Sequence, residues 1–421
     1  MFSASIINAS LLSMMLFLCR SAAFIQNNNH HQLRVLSRFL TQGIVPLSSS
    51  SSSVDEHTHN KEDSLYASLY GNTLVSIQDC INAQRLTQTY SHHDPKIIFI
   101  DASWYHRPDP TTNQFRGPSA EYIQGPRLPL ARYIDIDAVA TTHELFPMDN
   151  PNILPHMFPP PSLFGMAMDA YNIRNEDHVV IYAKRGAVFT PRMWFLFLSM
   201  GHDENRLHLL QGSLEDYIEL SGGESVEEYS LTDENKDVRI ESFYDEEYAE
   251  YFHDGILNVT KLYHAFHSTT SRYKVNVSQA RHICDKEEVL RAVKSNMECM
   301  ASNSNVVDDS DTIILDTRGS SYAKGHMPSA IHLPYAQLVD PNNSLILKPT
   351  TEIKQMFEDR GIDYLNPKKK IILSCGSGVS VCHGYLALKQ LGREMTEENT
   401  RIYDGSWTEW KTYPDLPKVS S

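Results

Sequence analysis

The residues best suited to chemistry lie in one stretch, Ile371-Ile-Leu-Ser-Cys-Gly-Ser-Gly-Val-Ser-Val-Cys-His383. Its apolar start reads as a buried strand that delivers Cys375 to its end, and a helix is predicted from about Val381 to Leu391. Between them Gly376, Ser377, Gly378, Val379 and Ser380 make a tight turn into Val381. A strand, a glycine-containing turn and a helix start aim a cradle of backbone N–H groups at one point. A thiol placed there meets the positive end of the helix, which favours the thiolate. The same cradle would hold a persulfide or another anion. Most free cysteines are inert packing. The two flanking glycines and the strand–helix junction favour a reactive thiol over that reading.

The elements that must position this loop occur twice along the chain. Ile97-Ile-Phe-Ile-Asp101 parallels Ile313-Ile-Leu-Asp316, and Val179-Val-Ile-Tyr-Ala183 parallels Ile371-Ile-Leu-Ser-Cys375. Leu207-His-Leu-Leu-Gln-Gly212 parallels Thr400-Arg-Ile-Tyr-Asp-Gly405. Short apolar strands alternate with helix-like segments such as Pro191–Gly201 and Gly384–Leu391, which predicts α/β domains with mostly parallel sheets flanked by helices. The first domain spans about 72–225 and the second 278–416. An acidic, Tyr-rich stretch, 226–277, links them, and Ile256 to His267 within it reads as helical. Where the second half has Cys375, the first has Ala183 in Tyr182-Ala-Lys-Arg-Gly186. Without a thiol no persulfide forms there, so the first domain is expected to be catalytically silent.

Cys375-Gly-Ser-Gly-Val-Ser380 resembles the active loop of 3-mercaptopyruvate sulfurtransferases, members of the rhodanese superfamily. Tyr403-Asp-Gly-Ser-Trp-Thr-Glu-Trp410 is similar to that family's C-terminal signature and Asp101-Ala-Ser-Trp-Tyr105 to its N-terminal one. Gly325-His-Met-Pro-Ser-Ala330 fits a further rhodanese pattern, of which Gly125-Pro-Arg-Leu-Pro-Leu-Ala131 is a poor copy. The likeness covers about residues 70–418. It implies two tandem rhodanese-like domains and sulfur transfer through a Cys375 persulfide, with Gly376, Gly378, Val379, Ser380 and Val381 as its binding loop. It also implies a small-molecule donor, 3-mercaptopyruvate or alternatively thiosulfate, and an acceptor such as thioredoxin, glutathione or cyanide. A relay of Ser377, His156 (in Pro155-His-Met-Phe-Pro159) and Asp137 (in Tyr133-Ile-Asp-Ile-Asp137) would protonate the enolate left by mercaptopyruvate. No metal or cofactor is implied.

The substrate clamp departs from the family pattern. The family grips the substrate carboxylate with two arginines in the second domain, and here Tyr322 stands at the first position while the insertion bearing the second is missing. Arg318 and Lys324 are the candidate cations in that segment, with Lys184 and Arg185 of the first half as substitutes. A related fold hosts phosphatases whose loop reads Cys-x5-Arg. Position six after Cys375 is Val381, so phosphate chemistry is not expected. Thiosulfate-type rhodaneses carry basic loop residues, and Gly376 and Ser377 provide none. A persulfide carrier that serves a protein partner is the non-enzymatic alternative.

The formal charge of −15 argues against nucleic acid or an anionic membrane as partner. Six unpatterned cysteines suggest a reduced compartment rather than a disulfide scaffold. Residues 1–53 contain Arg20, Arg34 and Arg38 and no acidic residue. There, Leu11 to Cys19 is apolar but too short to span a bilayer, and Ser21-Ala22-Ala23 supplies small residues, a signal-peptide pattern. From Phe24 a stretch rich in Asn, Ser and Arg reads as a transit peptide. Together they predict a bipartite address to a plastid, with secretion or a mitochondrion as the alternative. No other segment is apolar enough to span a membrane.

Overall fold

The computed structural model describes residues 66–89, 96–223, 226–228, 230–231, 246–267, 269–276, 282–302 and 312–420. The targeting region read at 1–53 lies outside them, as does part of the acidic stretch. Strands β1 (Leu74–Val75), β2 (Ile97–Asp101), β3 (Arg132–Tyr133), β4 (His178–Tyr182) and β5 (Leu207–Leu210) form one sheet. Its order is β1-β5-β4-β2-β3, with every pair parallel. A short antiparallel hairpin, β6 (Phe252–His253) and β7 (Ile256–Leu257), follows. The second sheet takes β8 (Ile283–Cys284), β9 (Ile313–Asp316), β10 (Ile331–His332), β11 (Ile371–Ser374) and β12 (Thr400–Tyr403). Its order, β10-β9-β11-β12-β8, read from the other edge repeats the connectivity of the first, again all parallel.

Parallel strands are covered on both faces, so they need continuous apolar runs rather than alternation. Ile97–Asp101, His178–Tyr182 and Ile371–Ser374 are buried at every residue. The same logic explains the helix Thr190–Ser199, whose sequence TPRMWFLFLS is apolar nearly all round. It packs on β4, on β5 and on the helix Val381–Gln390 of the second half. Trp194 and Phe195 meet the Tyr385 ring at 6.2 and 4.6 Å. One apolar cluster therefore runs through both halves, from Leu209 and Phe195 to Leu373 and Leu386.

The stretch expected to link the halves is partly built into the first one. Where a helix was read over Ile256 to His267, the chain instead closes the hairpin at Ile256–Leu257 and then forms a helix at Val259–Phe266, N-capped by Asn258. Tyr263 packs on Phe146 at 5.0 Å and Phe252 on Tyr171 at 5.5 Å. Tyr248, Tyr251 and Tyr273 are thus core residues of an added layer, with Phe252, Tyr263 and Phe266 packed against it. No helix among the described residues is long and apolar enough to cross a membrane.

Candidate active site

Cys375 follows β11 directly, and the turn after it leads into the helix Val381–Gln390. The segment after β12 clamps the base of this turn. Trp407 N donates to Cys375 O at 3.0 Å and Thr408 N to Gly376 O at 2.9 Å. Cys375 N donates to Ser406 Oγ at 3.1 Å, and that hydroxyl lies 3.9 Å from the Cys375 sulfur while donating to Tyr403 O at 2.7 Å. Within the turn itself, the amides of Gly376, Ser377, Gly378, Val379, Ser380 and Val381 donate to no acceptor among the described residues. Backbone N–H groups inside a fold are almost always paired. Six consecutive unpaired ones beside a thiol make a site for an anion.

Cys375 is 1% exposed, so the thiol sits beneath this cradle. A side-chain atom added at Gly376 would meet nothing within 4 Å, which leaves the loop open on that side. Gly378 is different: its φ of +77° is left-handed, and an added Cβ would fall 2.6 Å from both Asp404 O and Asp404 Oδ1. Cys382, one turn along, is fully buried, and burial above all pushes its thiol up to about 12. It stays protonated and is no rival nucleophile.

The loop is tied to the first half by one buried guanidinium. Arg192, on Thr190–Ser199, donates from Nη1 to Gly378 O and to Asp404 Oδ1, each at 3.0 Å, and from Nη2 to His156 O. The Arg192 and Asp404 side chains are 3% and 5% exposed. Asp404 Oδ2 accepts from Phe158 N at 2.7 Å, and the Arg192 guanidinium lies 4.1 Å over the Phe158 ring. Arg192 Nη1 and both Asp404 carboxylate oxygens bond across the two halves.

The other sequence-derived residues divide cleanly. His156 Nδ1 bonds Asp137 Oδ1, and Trp104 Nε1 donates to Asp137 Oδ2 at 2.9 Å. Burial opposes the Asp137 charge, yet the hydrogen bonds and charge of His156 and the Trp104 donor outweigh it and hold the carboxyl below its usual range. Asp137 therefore accepts from Nδ1–H, which leaves His156 Nε2 as the ring nitrogen that Asp137 does not engage. His156 has a left-handed φ of 60°, and Arg192 holds its carbonyl beside that of Gly378. Ser377 is half-buried in the loop and makes no hydrogen bond to His156 among the described residues.

Of the candidate cations, Arg318 is engaged elsewhere. Its Nη2 meets Asp316 Oδ2 at 2.7 Å and Gly325 O at 2.9 Å, and it is 5% exposed, so it braces the Asp316 turn. Tyr322 donates to Ala330 O at 2.6 Å and is stacked between His326 and His332, with ring centroids 3.8 and 4.2 Å away. Lys184 donates to Glu121 O at 2.7 Å, and Arg185 pairs with Asp216 at 2.6 Å. Lys324 is exposed at the end of the 3-10 helix Ser320–Lys324 and has no ion pair among the described residues.

The first half copies the frame of the loop and occupies half of its cradle amides. Leu214 N donates to Ala183 O at 2.9 Å, the counterpart of Trp407 on Cys375. Here, however, Lys184 N is taken by Ser103 Oγ at 2.9 Å, Arg185 N by Glu215 Oε2 at 2.7 Å and Ala187 N by Lys184 O at 3.1 Å. Arg116, held by Glu121, lies over the Tyr105 ring and bonds Arg185 O across the turn. Sequence reasoning did not assign roles to Arg192, Asp404, Ser406 or Trp104. Three of the four lay inside motifs already singled out; Arg192 carried no signal beyond being a charge in an apolar helix.

A rhodanese-like domain model matches residues 301–413. The chain is 30% identical over 328 residues to the mitochondrial thiosulfate/3-mercaptopyruvate sulfurtransferase 1 of Arabidopsis thaliana, covering 77% of this chain and 74% of that one. It is 28% identical to 3-mercaptopyruvate sulfurtransferase of Escherichia coli K12, covering 77% and 92%. Among solved structures it is similar to the Tum1 protein of Saccharomyces cerevisiae, with a TM-score of 0.55 at 23% identity, covering 82% and 97%.

Two variants test this geometry. Arg192→Met should destabilise the protein by about 3–5 kcal/mol, because it leaves Asp404 buried and unpaired; urea denaturation measures this, and a loss below about 1 kcal/mol would show that the pair is dispensable. Ala183→Cys should gain no sulfur when the protein is mixed with donor, since three of its turn amides, those of Lys184, Arg185 and Ala187, are already bonded. A second sulfur in the intact mass would disprove the silencing.

Proposed function

Because the chain belongs to the two-domain thiosulfate/3-mercaptopyruvate sulfurtransferase family and is a sulfurtransferase, we propose that it carries sulfur as a persulfide on Cys375 and takes it from 3-mercaptopyruvate. The observation that carries this reading is the run of six unpaired amides, Gly376 to Val381, around a single buried thiol. The Cys375 thiolate attacks the donor sulfur and the C3–S bond breaks. Its electron pair leaves on carbon as the pyruvate enolate, and sulfur remains as Cys375–S–SH. Loss of the outer proton gives an anion that the amides hold. The enolate becomes pyruvate when C3 gains a proton, which His156 supplies from Nε2 with Asp137 behind Nδ1. An acceptor thiolate such as thioredoxin or glutathione, or cyanide, then attacks the outer sulfur and Cys375 leaves as thiolate.

Thiosulfate is the second donor in this reading. Its attack by Cys375 releases sulfite, already an anion, so no carbon needs a proton. The absence of basic residues at Gly376 and Ser377 favours mercaptopyruvate. Lys324 is the cation proposed for its carboxylate, since Arg318 is bonded to Asp316. Ser377 is retained as a relay hydroxyl that engages when donor is present. The two domains are assigned as 72–225 and 278–416, which enclose the two sheets, with 226–277 between them. Residues 1–53 are assigned as a plastid address; the mitochondrial Arabidopsis relative supports an organelle in general.

Cys375→Ser should abolish turnover of either donor and leave the intact mass unchanged after mixing with mercaptopyruvate. Cys382→Ala should still gain one sulfur. Sulfur on the Cys375→Ser protein would assign the carrier to another thiol. His156→Gln should lower kcat with mercaptopyruvate by about 10²-fold or more and leave thiosulfate within about twofold, as steady-state kinetics on both donors would show. Equal losses would remove His156 from the proton step.

A further inference from the structure

We infer that Trp104 is a positioning residue that fixes both members of the Asp137–His156 pair and thereby sets which sulfur donors the protein turns over. The inference rests on the proposed role of His156 as proton source. Asp137 has two carboxylate oxygens, and each has one donor: His156 Nδ1 on Oδ1, and Trp104 Nε1 on Oδ2 at 2.9 Å. The Asp137 side chain is 46% exposed, so burial alone does not hold its rotamer. The same indole meets the His156 ring edge-to-face, centroids 5.0 Å apart at 84°. One side chain therefore orients the carboxylate by a hydrogen bond and the imidazole by ring contact.

Trp104 is in turn connected to the second half through Phe189 of the first. It packs on Phe189 at 5.5 Å, and Phe189 packs on His383 at 5.9 Å and Tyr335 at 5.5 Å. His383 lies on the helix that begins at the catalytic loop. A rigid aromatic path thus runs from that helix to the pair that handles the proton. Its effect is confined to the step that needs a proton. Mercaptopyruvate leaves an enolate that must be protonated at C3, whereas thiosulfate leaves sulfite and a polysulfide leaves a shorter polysulfide anion.

Trp104→Phe keeps an aromatic ring but deletes the N–H together with the five-membered part of the indole, and β-(3-benzothienyl)alanine at the same position separates the two. A hydrogen bond to a charged acceptor is typically worth ~1.5–3 kcal/mol, so kcat with mercaptopyruvate should fall by about 10- to 100-fold. Turnover of thiosulfate, and single-turnover loading of Cys375 by inorganic polysulfide, should stay within about twofold. Deleting the indole donor leaves the Asp137 carboxylate more basic toward Nδ1–H, so the pH profile of kcat with mercaptopyruvate should move to higher pH. Polysulfide loading also reports that the variant is folded. Should Trp104→Phe misfold, β-(3-benzothienyl)alanine at position 104 has the shape of tryptophan without the N–H and is expected to give the same donor selectivity. Equal losses on all donors would reduce Trp104 to packing, and no loss on mercaptopyruvate would make its N–H irrelevant. Either result overturns the inference. If His156→Gln is donor-selective and Trp104→Phe is not, the inference fails alone; if neither is, the proton role of His156 fails and the inference with it.

Discussion

The Arg192–Asp404 pair is the constraint on which the site depends. A buried ion pair is costly to desolvate and is tolerated only where each charge is fully bonded. Here the bonding partners are what matter: Gly378 O belongs to the turn after Cys375, His156 O to the loop that pairs with Asp137, and Phe158 N to the chain just beyond it. Satisfying one guanidinium and one carboxylate therefore sets the distance between a loop on the second half and a loop on the first. The close approach of Gly378 to Asp404 follows from the same contact and explains why that position has no side chain.

Duplication supplies an internal control. Both halves have the same strand order and the same clamp, a backbone N–H after a Gly-Ser pair donating to the carbonyl at the thiol position. What differs is the state of the turn amides. In the first half Ser103, Glu215 and Lys184 O occupy them, and Arg116 crosses the turn. In the second half they donate to nothing among the described residues. The absent thiol at Ala183 and the occupied turn amides are thus separate differences between the halves. A cysteine at 183 would face a turn in which the Lys184, Arg185 and Ala187 amides are already taken.

The α/β class and the repeat were legible because buried parallel strands need unbroken apolar runs, and Ile97–Asp101, Ile313–Asp316 and Ile371–Ser374 are such runs. The placement of Cys375 between a strand and a helix was legible because the strand–glycine–helix pattern is local in sequence. The pairing of Asp137 with His156 was reached by resemblance alone, since nothing in a spacing of nineteen residues shows a hydrogen bond. Arg192 was not legible. A single arginine in TPRMWFLFLS reads as a flaw in a buried helix until Asp404, 212 residues away, is placed beside it. The packing of the acidic stretch was hidden for a related reason: its acidic residues dominate the composition, while Tyr248, Tyr251, Leu257 and Leu262 carry the packing.

In the proposed reaction the placement of groups divides the labour between the halves. On that proposal the second half holds sulfur: thiol, amide cradle and the Ser406 hydroxyl all come from β11, β12 and the segments that follow them. The first half would hold the proton, with Asp137, His156 and Trp104 in loops around its sheet. Sulfur transfer to Cys375 would need only the former when the leaving group is already an anion, and a carbon leaving group would need both. A first half without a thiol is then not a relic beside an active one, because the part proposed for it never required a thiol.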